Sequence, residues 1–209
     1  MTRTVGFGPL HISYDDRVLE PRPWTFAQAE WAAELVEHAP PGPLLEICAG
    51  AGQIGLAAAL LTGRDVVLVD ANPAACELGV ANADAAGLGG RVDVRHGPMD
   101  QVLDDGERFA LVLADPPYIP STDTGVFPED PLSAIDGGDD GLDVARLCLS
   151  VAAAHLEEGS SVVLQLRDLD QADRLAAELR AGPGSPLHYV EARVVEDGGA
   201  LLHLRRART

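Results

Sequence analysis

The sequence predicts a single α/β domain built on a mostly parallel β-sheet with helices on both faces. From residue 43 onward, short runs rich in Val, Leu and Ile alternate with Ala-rich segments of helical periodicity, which is typical of βαβ units. A chain of 209 residues with 46% hydrophobic content can bury one core, and its composition has no break that would mark a second domain. We therefore expect one domain over residues 1–209.

Each strand and helix is predicted from its own run of residues. Five apolar runs are predicted to be strands: 43–48, 65–70, 92–96, 109–115 and 161–166. Four segments have helical periodicity: 53–62, 73–86, 139–156 and 168–181. After Gly182, HYVEARVVE and ALLHLRR flank Asp197-Gly198-Gly199, which predicts a closing antiparallel hairpin. Before residue 43, LHISYDD and RVLEP are predicted as short strands, and WTFAQAEWAAELVEHA as a helix over one edge of the sheet.

The charge balance disfavours nucleic acid as a partner. The chain has 33 acidic and 15 basic residues, a net charge of −18, and this potential repels polyanions unless basic groups are concentrated locally. Arg205, Arg206 and Arg208 do cluster, so nucleic acid is disfavoured and not excluded. No long apolar run supports export or membrane spanning, and three widely spaced Cys residues predict neither a disulfide framework nor a zinc site. We expect a cytoplasmic protein without a bound metal.

The stretch EICAGAGQIG, residues 46–55, predicts a nucleotide-binding loop. Gly50, Gly52 and Gly55 form a GxGxxG pattern between a strand and a helix, at the strand end where open α/β sheets bind ligands. This pattern fits a dinucleotide as well as S-adenosylmethionine (SAM). Asp70 ends the second strand, where a carboxylate can accept hydrogen bonds from ribose hydroxyls.

Glu46 favours SAM over NAD. It lies four residues before Gly50, where we expect its carboxylate to point toward the cofactor. At ~5 Å and an effective dielectric constant of ~20, one pair of unit charges interacts by about 3 kcal/mol. The interaction attracts a sulfonium or ammonium group and repels a pyrophosphate.

The stretch ADPPYIP, residues 114–120, predicts the position of the methyl acceptor. Two prolines end the preceding strand and fix the backbone. The rigid turn can aim the Asp115 carboxylate and the Pro116 carbonyl at one NH2 group, while Tyr118 supplies a flat wall. The following irregular stretch, 116–139, is long enough to suggest a functional loop or lid.

These motifs resemble those of Rossmann-type SAM-dependent methyltransferases, and most closely the HemK (PrmC-like) protein-glutamine methyltransferases. The matching stretches are EPRPWT (20–25), EICAGAG (46–52), DPPYIPS (115–121) and EDPLSAIDGGDDGLDVARL (129–147). The resemblance implies a seven-stranded sheet whose last strand is reversed. It also implies cofactor contacts, which we assign to Thr25, Glu46, Cys48, Gly50, Gly52, Asp70, Ala71 and Met99. The acceptor turn that it implies consists of Asp115, Pro116, Pro117 and Tyr118.

The chain departs from this family's pattern at several positions. Asp115 stands where the glutamine enzymes carry Asn, and an ionised carboxylate can accept from an NH2 group but cannot donate to a carbonyl. Cys48 replaces a loop glycine, and Gly97-Pro98 replaces an expected Gly-Asp near the adenine. We also expect the family's N-terminal helical substrate domain to be missing, so that acceptor recognition uses another surface or a partner.

The sequence is therefore interpreted as a SAM-dependent N-methyltransferase, with S-adenosylhomocysteine as product and a protein or small molecule as acceptor. Three alternatives remain open at this point. They are methylation of an adenine or guanine amino group in RNA or DNA, a SAM-binding module without catalysis, and an NAD-dependent dehydrogenase.

Overall fold

The computed structural model describes residues 1–182, 184–196 and 198–208. The strands are β1 (Arg3–Phe7), β2 (Leu10–Tyr14), β3 (Leu44–Ile47), β4 (Val66–Asp70), β5 (Val92–His96), β6 (Phe109–Ala114), β7 (Leu156–Leu166), β8 (Leu187–Val195) and β9 (Gly199–Arg206). The α-helices are α1 (Phe26–Val36), α2 (Gln53–Thr62), α3 (Pro73–Ala85), α4 (Leu132–Ile135), α5 (Asp143–His155) and α6 (Leu169–Ala181). Single 3₁₀ turns span Pro23–Thr25 and Thr124–Val126.

The main sheet has seven strands in the order β5-β4-β3-β6-β7-β9-β8. The pairs from β5 through β7 are parallel, and β9 runs antiparallel to both of its neighbours, β7 and β8. This arrangement confirms the predicted mostly parallel sheet and its closing hairpin. Asp197, part of the predicted hairpin turn, lies outside the described residues.

Apolar side chains fill both sides of the sheet, which explains why the central strands are almost continuously hydrophobic. Leu44, Leu68 and Leu111 belong to the core on the side of α1, α2 and α3. Leu45 and Val112 belong to the core on the side of α5 and α6. Helices therefore cover both faces of the sheet, as the sequence predicted.

The order of the strands fixes where a ligand can bind. The chain proceeds from β3 to β4 on one side of β3, whereas β6 pairs with β3 on the other side. The carboxyl ends of β3 and β6 therefore flank a topological switch point, where open α/β sheets form their ligand crevice.

The N-terminal region differs from its prediction in two respects. RVLEP is not a strand, because a turn follows β2 in which the Val18 N–H donates to the Asp15 carbonyl at 3.1 Å. The hairpin partner of β2 is instead β1. Helix α1 does not cover a sheet edge but packs on α2 and the central strands β6 and β7, since one of its faces carries the buried residues Ala29, Trp31 and Ala32.

The segment between β6 and α5 contains structure that the sequence did not predict. Helix α4 forms within it, and α5 begins at Asp143 instead of residue 139. Gly138 and Gly141, with φ of 89° and 75°, adopt left-handed backbone conformations that interrupt a helix. None of the helices within the described residues is long and apolar enough to cross a membrane.

Candidate active site

A cleft of about 560 Å³ opens at the carboxyl ends of β3, β4 and β6. Seven predicted site residues line it: Cys48, Gly50, Asp70, Ala71, Met99, Asp115 and Pro117. The other lining residues are Val18, Leu19, Glu20, Arg22, Gln53, Val69, Asn72, Ala75, Gly97, Ser133, Ala134, Asp136 and Val144. Five predicted residues are not in the lining: Thr25, Glu46, Gly52, Pro116 and Tyr118.

The loop after β3 forms one wall of the cleft. Cys48, Gly50 and Gly52 have φ of 60°, 54° and 82°, so the backbone turns sharply between the strand and α2. A side chain at Gly52 would also meet Leu68 Cδ1 at 2.9 Å. Gly50 exposes its backbone to the cleft, whereas Gly52 allows the loop to pack on the sheet.

Asp70 connects two of the loops that form the cleft. Its Oδ2 accepts from the Gly50 N–H at 2.8 Å, and its Oδ1 accepts from the Asn72 N–H at 2.8 Å. Burial raises the pKa of this carboxyl, and the two backbone hydrogen bonds partly oppose that effect. Each oxygen has a further lone pair, so Asp70 can hold the loop and also accept hydrogen bonds from a ligand.

Asp115 lies on the opposite side of the cleft from the Asp70 loops, directly after β6. Burial raises the pKa of Asp115 to about 7, so its protonated and ionised forms are both populated near neutral pH. Pro117 also faces the cleft.

The remainder of the turn packs into the protein. Pro116 is buried, and burial raises the pKa of Tyr118 above its ordinary value. Tyr118 is partly buried and is not among the residues that line the cleft, so its role as a wall stays a prediction. The turn is held by the segment that follows it: Ile119 N–H donates to the Ile135 carbonyl at 2.9 Å, and Gly137 N–H donates to the Ile119 carbonyl at 2.8 Å.

Two glycines in the GGDDG stretch make this packing possible. A side chain at Gly137 would meet the Pro117 carbonyl oxygen at 2.7 Å, and one at Gly141 would collide with the Tyr118 carbonyl oxygen. The backbone of the GGDDG stretch therefore packs directly against the backbone of the Asp-Pro-Pro-Tyr turn.

Comparisons with known proteins identify relatives along most of the chain. A family model described as "Conserved hypothetical protein 95" matches residues 29–126. The release factor glutamine methyltransferase of Gloeobacter violaceus is 34% identical over 169 residues, which cover 78% of this chain and 59% of that protein. The corresponding protein of Deinococcus radiodurans is 34% identical over 185 residues, covering 86% of this chain and 65% of its own length. The ribosomal protein uL3 glutamine methyltransferase of Bradyrhizobium diazoefficiens is 30% identical, covering 73% of this chain and 51% of its own length.

This chain is similar to the release factor glutamine methyltransferases over 78% and 86% of its own length in these two comparisons. It spans less than two thirds of the length of those two relatives.

Solved structures support the fold independently. The catalytic domain of hMettl16 in complex with MAT2A 3'UTR hairpin 1 has a TM-score of 0.73 at 16% identity, covering 95% of this chain and 74% of that one. The ribosomal protein L11 methylase of Lactobacillus delbrueckii subsp. bulgaricus has a TM-score of 0.63 at 15% identity, covering 91% of this chain and 82% of that one. At these identities the likeness shows the methyltransferase fold alone.

In this chain, Glu46 does not face the cleft as the sequence predicted. It lies on a central strand, pointing toward α2, and its Oε2 accepts from the Gly55 N–H at 2.8 Å. Its Oε1 is buried without a hydrogen-bond partner among the described residues. Burial, opposed by the Gly55 bond, raises the pKa of Glu46 well above its ordinary value. Glu46 therefore holds the first turn of α2 and is not among the residues that line the cleft.

Replacing Glu46 with glutamine tests whether the charge of Glu46 contributes to SAM binding. The glutamine carbonyl can still accept from the Gly55 N–H, so we expect SAM affinity to stay within about threefold of wild type. Calorimetric titration measures it. A loss of more than about tenfold, or about 1.4 kcal/mol, would mean that an ionised Glu46 does bind the cation.

Gln28 is a buried residue of α1 that the sequence gave no reason to select. Its Nε2 donates to the Ala114 carbonyl at 3.0 Å and to the Val163 carbonyl at 2.7 Å. Ala114 immediately precedes Asp115, so Gln28 holds the end of β6 against β7. Polarity within an otherwise apolar helix face was the only signal that could have indicated it.

The segment before α1 forms a roof over the cleft. Val18, Leu19, Glu20 and Arg22 line the cleft from this side. Asn72 anchors the roof by donating from Nδ2 to the Arg17 carbonyl at 2.8 Å. Because RVLEP was predicted as a strand, these contacts were missed.

Thr25 supports the roof without lining the cleft. It is buried, and its Oγ1 donates to the Arg22 carbonyl at 2.8 Å. Arg22 in turn forms an ion pair with Asp130, in which its Nη2 donates to both carboxylate oxygens at 2.8 Å each.

Cys48 and Met99 line the cleft, and the buried Cys148 lies in the same apolar cluster. Cys148 Sγ contacts Met99 Sδ at 3.8 Å, and Cys48 packs against the same cluster. The contact with Cys148 and burial both raise the pKa of the Cys48 thiol, which keeps it protonated. Among the described residues no group of three or more His, Cys, Asp or Glu side chains could hold a metal ion.

Proposed function

We propose that this protein is a SAM-dependent methyltransferase that methylates the side-chain nitrogen of a protein glutamine. One observation carries the proposal: Asp70 and Asp115 line a single cleft at the switch point of the sheet, with the glycine loop between them. The glutamine methyltransferases to which the chain is related support the acceptor.

The donor end of the cleft fits the nucleoside of SAM. Asp70 offers acceptor oxygens for ribose hydroxyls, and Gly50 brings backbone close without a side chain. Ala71, Gly97 and Met99 supply apolar or backbone surface beside them, suited to a flat adenine ring. When bound, SAM would supply an electrophilic methyl group: the acceptor nitrogen forms the N–C bond, the electron pair of the broken C–S bond stays on sulfur, and the methylated nitrogen then releases one proton to water.

The charges in the cleft favour SAM over NAD. Four carboxyl groups line it, from Glu20, Asp70, Asp115 and Asp136, and the one arginine, Arg22, is already paired with Asp130. A pyrophosphate would meet this excess of acidic groups, whereas the sulfonium and ammonium of SAM are compatible with it.

The acceptor end of the cleft fits a carboxamide through the raised pKa of Asp115. A carboxamide presents an NH2 group that needs an acceptor and a carbonyl that needs a donor. Protonated Asp115 supplies one of each, as an asparagine would. Holding the NH2 group in place directs the nitrogen at the methyl group.

One observation favours a second candidate, the amino group of an adenine or guanine base. When Asp115 is ionised it only accepts hydrogen bonds, and a base amino group requires nothing more. The net charge of −18 opposes a polyanionic acceptor, so we place this candidate second.

Calorimetric titration with SAM, S-adenosylhomocysteine and NADH tests the proposal, followed by transfer of a labelled methyl group to a glutamine-containing peptide. We expect micromolar binding of both SAM and its product, with NADH at least about 100-fold weaker. Preference for NADH would reject the methyltransferase. Binding of SAM without transfer to peptide or RNA would instead indicate a module without catalysis.

A protein acceptor of the kind named for the relatives, a release factor or ribosomal protein, is cytoplasmic. We therefore propose that this protein acts in the cytoplasm.

A further inference from the structure

Three large apolar side chains are exposed on the segment that joins the Asp-Pro-Pro-Tyr turn to α5. Val126 is 73% exposed, Phe127 41% and Leu132 59%. Glu129, which lies between Phe127 and Leu132, is also exposed. We call Val126, Phe127, Glu129 and Leu132 the loop surface. Exposed apolar groups gathered on one segment often mark a binding surface.

The loop surface is held in place by polar contacts on both sides. Arg22 pairs with Asp130, and Arg167 pairs with Asp123 at 2.9 Å. Ser121 Oγ donates to Asp136 at 2.6 Å. Because these contacts fix the segment at several points, its apolar side chains are presented to solvent by an ordered backbone.

The loop surface is continuous with the cleft. Ser133 and Ala134, which directly follow Leu132, line the cleft, as does Arg22, whose guanidinium holds Asp130. A chain that lies on Leu132 can therefore extend into the cleft toward Asp115.

All the charged residues in the stretch of sequence that contains the loop surface are acidic. Residues 115–143 contain eight acidic residues and no basic one. Neighbouring arginines neutralise some of them, including Asp123, Asp130 and Asp140. Glu129 remains exposed. Complementary charge on a partner would be positive, which disfavours a polyanion and fits a polypeptide segment with basic side chains.

We propose that the loop surface docks the acceptor protein, through a segment that combines apolar side chains with Lys or Arg next to the target residue. The inference rests on the proposed function, because it assigns the acceptor of the same cleft. Apolar contacts to Val126, Phe127 and Leu132 supply affinity, and Glu129 selects for positive charge.

Two synthetic peptides test the proposal by fluorescence anisotropy with the protein saturated by S-adenosylhomocysteine. Both carry a central glutamine and flanking leucines; one has lysines at the outer positions and the other has glutamates. We expect the lysine peptide to bind at least about tenfold more tightly than the glutamate peptide. Equal binding, failure of both peptides to bind, or tighter binding of a single-stranded RNA would overturn the proposal.

A matched pair of double variants locates the binding. Val126→Ser with Phe127→Ser removes two exposed apolar groups from the loop surface. Val190→Ser with Val194→Ser removes two groups that are 46% and 68% exposed on β8, at the far edge of the sheet. We expect the first pair to weaken the lysine peptide about tenfold and the second to leave its affinity unchanged.

Binding of S-adenosylhomocysteine to the same variants separates this inference from the proposed function. Unchanged cofactor affinity in both double variants is expected, because neither pair lies in the cleft lining. Equal peptide affinity in both variants would refute docking on the loop surface. Failure of the wild-type protein to bind S-adenosylhomocysteine would instead count against the proposed function.

Discussion

Replacing Asp115 with alanine should lower kcat/KM for methyl transfer by about 10²–10³-fold while SAM affinity stays within about threefold. Asp70 and Asp115 both line the cleft, and in the proposed function Asp115 holds the acceptor while Asp70 holds the donor nucleoside. The variant removes the group that orients the NH2 nitrogen and leaves the donor contacts in place. Single-turnover transfer to a glutamine peptide, together with calorimetric titration of SAM, measures the two effects separately.

Asp115→Asn is the matched control for this prediction. The asparagine supplies one acceptor and one donor at every pH, as only the protonated carboxyl does in the wild-type protein. With a carboxamide acceptor we expect the wild-type rate to fall as the pH rises through about 7, while the rate of the asparagine variant stays level. Turnover that survives Asp115→Ala, or a wild-type rate that rises over the same pH range, would contradict the carboxamide assignment.

The same titration has a consequence for stability, whose sign follows from the raised pKa. The folded protein binds the Asp115 proton more tightly than the unfolded chain does. Its contribution to stability is therefore complete below pH ~4 and is lost as the pH rises through about 7. The free energy of unfolding of Asp115→Asn minus that of the wild-type protein should therefore be larger at pH 8 than at pH 4 by on the order of 4 kcal/mol.

Replacing Asp70 with alanine should weaken SAM binding by about 100-fold. The change removes acceptors for the ribose hydroxyls, and it also leaves the N–H groups of Gly50 and Asn72 without the carboxylate that orients both loops. The loss of a hydrogen-bonded charged group in a partly buried site costs about 2–3 kcal/mol, which corresponds to the expected factor. Calorimetric titration with SAM and with S-adenosylhomocysteine measures it.

Asp65→Ala is the control for Asp70→Ala. Asp65 precedes the other end of β4, where its carboxylate is exposed and makes only a surface ion pair with Arg91 at 3.3 Å. We expect this variant to bind SAM like the wild-type protein. Similar SAM affinity in Asp70→Ala and Asp65→Ala would remove Asp70 from the donor site.

The sheet could be predicted from the sequence because its strands are buried on both faces. Runs such as FALVLA and VVLV are apolar at every position, and this identifies a strand without knowledge of its partners. RVLEP has only two adjacent apolar residues, follows a turn at Asp15 and ends at the first of two closely spaced prolines. Its conformation depends on contacts with Asn72, far along the chain, which no local pattern reports.

The candidate site could be predicted in part because several of its residues directly follow the predicted strands. The glycine loop, Asp70 and Asp115 follow strands directly, so their place at the carboxyl edge of the sheet is fixed by the topology. The predicted orientation of the Glu46 side chain was wrong. Alternate residues of a strand face opposite sides of the sheet, and α2 covers the side that Glu46 faces. Gln28 and Gly141 act through contacts with residues distant in sequence, which become visible only in the folded chain.

A crystal structure of the protein with S-adenosylhomocysteine tests most directly whether one cleft joins the donor at Asp70 to the acceptor at Asp115. We predict ribose hydroxyls within hydrogen-bonding distance of the Asp70 carboxylate and the sulfur atom directed toward Asp115. A nucleoside bound away from the glycine loop, or a sulfur atom facing away from Asp115, would contradict this assignment.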